Sequence, residues 1–155
     1  MSRFPIISDT QYDLSWKNRR PRCCQRADIR IGRHTLHFYN VHLGTGLRER
    51  HHQTERLSAL LEDGRIRAPK IVLGDFNEWG RGLAAATLTP KLNSLNLRSF
   101  LKRRRTYPGF LPLLHLDHIF YDGNVEMVHV QVPRTRLSLL ASDHLPIVAD
   151  IRIRF

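Results

Sequence analysis

"KIVLGDFN", Lys70–Asn77, decides how this chain is built. Ile71, Val72 and Leu73 form an unbroken apolar run, two of them β-branched, with no polar residue alternating between them. Such a run fits a short, fully apolar strand. It stops abruptly at Gly74, Asp75 and Asn77. Polar groups at the end of a buried strand are a usual way to hang chemistry on a rigid sheet. Taken alone, an Asp after a Gly is as often a turn or a helix cap, so the flanking sequence has to decide.

Upstream, "GLRERHHQTERLSALLEDG" (46–64) places Leu47, Thr54, Leu57, Leu60 and Leu61 at helical spacing, with Gly64 as a stop. Before it, "CCQRADIRIG" (23–32) and "RHTLHFYNVHL" (33–43) read as two strands joined at Gly32-Arg33. Downstream, "GRGLAAATLTPKLNSLNL" (80–97) is looser and predicts one short helix ending near Pro90. "LHLDHIFYDGNVEMVHVQVP" (114–133) predicts two strands about the turn pair Asp122-Gly123. The closing "LLASDHLPIVADIRIRF" (139–155) puts Ile147, Ala149, Ile151, Ile153 and Phe155 on one face, and Asp150, Arg152 and Arg154 on the other. That is the period of a half-buried strand. About six strands with one or two helices predict an α/β (α+β) fold, a mixed sheet covered on one side by helices. No internal repeat or low-complexity linker divides the chain, so its 155 residues predict one domain.

The hydrophobic fraction of 41% is that of an ordinary globular protein, which argues against disorder. No stretch approaches the ~20 apolar residues that span a bilayer. "MSRFPIISDT" has no cationic segment followed by an apolar one, so the expectation is a soluble, cytoplasmic protein without a cleaved signal. Cys23 and Cys24 are adjacent and the only cysteines. They read as two small strand residues rather than a disulfide or a zinc site. The net charge of +11 favours an anionic partner, nucleic acid or a phospholipid surface. Its densest run is Lys102–Arg105.

Four places share one architecture, an apolar strand with catalytic residue types at its end. They are Asn40 and His42 in "FYNVHLG", Asp75 and Asn77, Asp117 in "LHLDHIF", and Asp143 with His144 before "LPIVADI". Asn40 and His42, two residues apart, share a strand face. Singly, each has an ordinary structural explanation. Together, three Asp, two Asn and two His at sheet edges suit a divalent cation and a phosphate. Phosphate esters resist hydrolysis because their negative charge repels nucleophiles. A site must therefore neutralise that charge and activate water.

In this order, "NVHLG", "ERHHQ", "IVLGDFN", "LDHIF" and "SDHLPIVADI" resemble the C-terminal part of the endonuclease/exonuclease/phosphatase superfamily, the deoxyribonuclease I-like fold. "SRFPI" at the start resembles the middle of that fold, so the likeness covers essentially the whole chain. The resemblance implies part of a four-layer α/β sandwich, mainly its second mixed sheet with covering helices. It implies a metal-dependent phosphate-ester hydrolase, a phosphodiesterase or nuclease using Mg²⁺ or Mn²⁺, with nucleic acid or phospholipid as substrate. The alternative is an inactive remnant that binds phosphate. By the resemblance, His42, Asp75, Asn77, Asp117 and His144 are catalytic, with Asn40 supporting His42. Asp75 orients or activates water, and His144, partnered by Asp117, stabilises the phosphate. Asp75, Asn77, Asp143 and His144 serve the metal. Arg50 and Gln53 are structural. The family's first half carries an Asn and a metal-binding Glu, and this chain opens after both. Glu49, Glu55, Glu62, Glu78 and Glu126 stand in other motif contexts. The expectation is an N-terminally truncated domain spanning 1–155, with an uncovered sheet face that predicts self-association or a partner for the missing portion.

Overall fold

A computed structural model describes residues 1–67, 69–78, 93–94, 105–121 and 125–154. Its main sheet contains β1 (Ile6–Asp13), β2 (Cys23–Ile31), β3 (His34–His42), β4 (Lys70–Asp75), β5 (Asn93–Ser94) and β6 (Asp117–Tyr121). Their order is β1-β2-β3-β4-β6-β5. The sheet is mixed, because β3 and β4 run parallel while the other pairs are antiparallel. The parallel pair needs a crossover, and helix α1 (Leu47–Leu61) provides it. A second sheet pairs β7 (Val125–Gln131) with β8 (Val148–Ile153), and a short helix, α2 (Arg136–Ala141), lies between them.

Alternation along the central strands builds two cores, one on each face. Tyr39, Val41, Val72 and Phe120 point toward α1 and pack with Leu57 and Leu61. Leu36, Ile71 and Ile119 point the other way and meet Ile151 and Ile153 of β8. Helix, six-stranded sheet and two-stranded sheet thus make three layers, with β4 buried between the outer two. Each large apolar side chain buried here contributes roughly 1.5–3 kcal/mol.

The strands about Asp122-Gly123 both form, but they do not pair with each other. β6 joins the main sheet and β7 the second one. An Asp-Gly pair between apolar runs favours a hairpin locally, yet the apolar faces of these strands have different partners to cover. Tertiary packing wins over the local signal. β1 carries no alternation that marks a strand, since six of its eight residues are exposed at the sheet edge. α2 is also unannounced by periodicity. It buries no residue and is held by a reciprocal cap, in which the Ser138 N–H donates to Thr135 Oγ1 at 3.1 Å and the Thr135 N–H to Ser138 Oγ at 2.8 Å. The expected helix before Pro90, Phe155 and the turn residues 122–124 lie outside the described residues. Cys23 and Cys24 sit side by side in β2 with free thiols, and burial pushes the Cys24 thiol up to about 12.

Candidate active site

Two backbone features bring the ends of β3 and β4 together. Gly74 has φ +135°, and a Cβ there would lie 2.0 Å from the Val41 carbonyl oxygen. Only glycine lets the strands approach this closely. Asn77 adopts φ 48°, and its side-chain amide donates to the Leu43 carbonyl at 2.8 Å. The Asn77 backbone N–H donates to Asp75 Oδ1 at 2.7 Å. "GDFN" is therefore a clamp that ties two strand ends together and fixes the Asp75 carboxylate. The loop after β3 is held from below by α1. The Gly44 N–H donates to Gln53 Oε1 at 2.8 Å, and the Arg50 guanidinium donates to the Thr45 carbonyl. Arg50 and Gln53 are buried supports, as expected from the sequence.

Asp75 stands between two imidazoles. Its Oδ2 lies 3.4 Å from His42 Nε2 and 3.9 Å from His144 Nε2. The other ring nitrogen of His144, Nδ1, is 2.8 Å from Asp117 Oδ2. Asp75 and Asp117 are cross-strand partners on β4 and β6, so the main sheet sets their spacing. His144 arrives from the loop before β8. That loop is fixed by the Leu145 N–H donating to the Thr106 carbonyl at 2.8 Å and by the Gly109 N–H donating to the Asp143 carbonyl at 2.6 Å. The Tyr107 ring lies against His144, with centroids 4.8 Å apart.

The two histidines are driven in opposite directions. Burial holds the His42 pKa below the usual imidazole value, and the charges of Arg22, His144 and Arg20 push the same way. Burial also opposes charge on His144, but the hydrogen bond and charge of Asp117, with Asp75 and Asp143, outweigh it and raise that pKa. Burial raises the Asp75 carboxyl, aided by the charge of Asp117 and opposed by the Asn77 N–H and both imidazoles. One imidazole is biased neutral and the other cationic, around one carboxylate. Pairs pushed apart in this way are suited to acid and base work.

These groups line a cleft of ≈ 450 Å³ together with Arg20, Arg22, Thr45, Tyr107 and Asp143. His42, Asp75, Asn77, Asp117, Asp143 and His144 are all brought to its walls. Asn40 is not; it is exposed one step back along the β3 face that carries His42. Arg20, Arg22 and Tyr107 were missed by sequence reasoning. The run "NRRPR" (18–22) was a visible signal for the arginines, whereas nothing local marks Tyr107. Of the densest basic run, Lys102–Arg104 lie outside the described residues. The oxygen-rich donor set suits a hard cation. Among the described residues, no group of three His, Cys, Asp or Glu converges to hold a metal.

Fold and cleft together place the chain in a known group. Residues 1–144 match the model of the Endonuclease/Exonuclease/phosphatase family, and the chain belongs to that family. It is 33% identical over 165 aligned residues to the Uncharacterized protein YbhP of Escherichia coli (strain K12), an alignment taking in 99% of this chain and 61% of that protein. The chain thus spans less than two thirds of the length of that curated relative. Its fold is similar to a mannosyl-6-phosphatase of Bacteroides thetaiotaomicron, with a TM-score of 0.74 at 20% identity over 97% of this chain and 67% of that one. It is also similar to D. rerio TDP2 complexed with single strand DNA product, with a TM-score of 0.69 at 16% identity over 95% of this chain and 68% of that one. At such identities the likeness concerns the fold. Among the described residues, no helix is long and apolar enough to cross a membrane.

Proposed function

We propose that the cleft hydrolyses phosphate esters, with phosphodiesters as its preferred class and Mg²⁺ or Mn²⁺ as its cation. The observation that carries this reading is the Asp75 carboxylate held between two imidazoles, one of them backed by Asp117 at 2.8 Å. Asp75, fixed by the Asn77 N–H, orients the attacking water and accepts its proton; its raised pKa makes it a better base than an exposed carboxylate. His144, kept protonated by Asp117, donates Nε2–H to a phosphate oxygen as negative charge develops there. His42, biased neutral, accepts a hydrogen bond from the water or the substrate. Arg20 and Arg22 at the cleft wall draw the anionic ester in. A divalent cation seated at Asp75 and Asp143 would neutralise phosphate charge when bound. The two structural relatives, a phosphatase and a protein seen with a DNA product, support the ester class without choosing the alcohol.

A second reading is a phosphate-binding module without turnover, favoured by the lack, among the described residues, of three metal-ligating side chains that converge. The deciding experiment is hydrolysis of bis(4-nitrophenyl) phosphate with Mg²⁺, with Mn²⁺ and with EDTA, alongside Asp75→Asn. Metal-dependent turnover that falls by roughly 10²–10⁴ in the variant is the expected result. No turnover from folded protein that still binds inorganic phosphate would establish the binding module instead.

A further inference from the structure

We propose that a second cavity, joined to the cleft through Arg22, holds one alcohol portion of the ester, and that it selects an uncharged group bearing neighbouring hydroxyls. The proposal rests on the reading of the cleft as a phosphate-ester hydrolase. Gln11, Asp13, Ser15, Pro21, Arg22 and Cys23 line this cavity of ≈ 350 Å³. Arg22 also lines the cleft that contains His42, Asp75 and His144.

The register of the main sheet sets the two cavities side by side. Asp13 of β1 pairs with Cys23 of β2. Cys24 pairs with Val41, so the residues next to them, Cys23 and His42, stand level on the other face of the sheet. His42 pairs with Asp75, and Asp75 with Asp117. Asp13, Cys23, His42, Asp75 and Asp117 therefore form one row across the sheet, on one face. Cys23 and Asp13 stand one and two strands beyond His42, about 5 and 10 Å at ordinary strand spacing. A small alcohol attached to a phosphate at His42 and Asp75 spans that distance.

The lining decides what fits. Arg22 is fixed at its backbone, its N–H donating to Ser15 Oγ at 3.2 Å and its carbonyl accepting from the Leu14 N–H at 2.8 Å. The Ser15 N–H donates to Asp13 Oδ1 at 2.8 Å, and hydrogen bonds from Ser15 hold the Asp13 carboxyl below the usual carboxylate range. Asp13 is thus a charged acceptor that donates nothing. The Gln11 amide donates to Cys23 Sγ at 3.1 Å, a weak acceptor that a hydroxyl oxygen displaces readily. A hydroxyl both donates and accepts, so two neighbouring hydroxyls can donate to Asp13 while accepting from Gln11 and Arg22. A second phosphate in this place would be repelled by Asp13. An apolar alcohol would leave the polar lining without partners.

The test compares two diesters that differ only in two hydroxyls, 2,3-dihydroxypropyl 4-nitrophenyl phosphate and propyl 4-nitrophenyl phosphate. With Mg²⁺ or Mn²⁺, the expected kcat/KM is roughly tenfold higher for the dihydroxy ester. In the double variant Gln11→Leu, Asp13→Asn that ratio should fall toward one. Asparagine at position 13 keeps an oxygen for the Ser15 N–H, so the turn after β1 stays held. Equal kcat/KM for the two esters in the parent, or a variant that keeps the parent's ratio, overturns the subsite. Equal losses on both esters would mean a structural role and overturn it too. Turnover of neither ester by folded protein refutes the hydrolase instead, and calorimetric binding of the same two esters then decides the subsite. Tighter binding of the dihydroxy ester, lost in the variant, upholds the cavity as a binding site, and equal binding overturns it.

Discussion

Asp117 and His144 make the most informative residue pair in the cleft. The 2.8 Å contact raises the His144 pKa above its ordinary 6.5. Because the folded value lies above the unfolded one, the pair contributes its full stabilisation below pH 6.5 and loses it as pH rises through the raised value. In Asp117→Asn, titration of His144 followed by NMR on metal-free protein should move to lower pH. The alkaline limb of the rate profile should move with it. An unmoved titration would mean that Asp117 does not hold the imidazole charged. A separate prediction concerns Arg20 and Arg22. Replacing both with Ala should raise KM for an anionic ester more than it lowers kcat, because they attract the substrate rather than touch the reacting atoms. The same substitution should also raise the His42 pKa, since both guanidinium charges depress it.

At the scale of elements, the β3–β4 junction is where a small change does most harm. Gly74→Ala places a methyl group 2.0 Å from the Val41 carbonyl oxygen and requires φ +135° of an alanine. The expected cost is roughly 3 kcal/mol or more, read as a fall in the thermal midpoint. Gln53→Leu is subtler. It leaves the buried Gly44 N–H without its acceptor, which costs about 1–3 kcal/mol. The loop that brings Thr45 to the cleft should loosen with it, so the rate should fall as well as the stability. Stability falling alone would show that this loop is not part of the site. These elements differed in how plainly the sequence announced them. α1 was visible through Leu57 and Leu61, although its upper buried face is polar, with Glu49, Arg50, Gln53 and Thr54 buried and Arg50 and Gln53 hydrogen-bonded to the loop. Leu47, counted in the apolar stripe, is 66% exposed.

For the whole molecule, the layers predict a gradient of local stability. β3 and β4 lie between two cores, whereas the β7–β8 sheet rests on the main sheet through Ile151 and Ile153. Hydrogen exchange should be slowest in β3 and β4 and faster in β7 and β8. Ile151→Ala should speed exchange in β7 and β8 before it affects the centre, and should weaken activity because β8 follows directly on the loop that delivers His144. Uniform acceleration across both sheets would mean that the two layers open together.

Much of this architecture was legible because it is local. The run Ile71–Leu73 marked an apolar strand, and the alternation from Ile147 to Ile153 marked a half-buried one. "GDFN" and "SDHLP" marked the ends where polar groups collect. The sequence by itself marked the central strands, the helix between β3 and β4, and the strand ends at which His42, Asp75, Asn77, Asp117, Asp143 and His144 stand, because periodicity and glycine-bearing turns act over a few neighbours. Only the tertiary structure decided the rest. The separation of β6 from β7, the edge strand β1, the exclusion of Asn40, and the arrival of Arg20, Arg22 and Tyr107 all depend on contacts between residues distant in the chain. Which face finds a partner is settled by packing, and no short window of sequence contains that information.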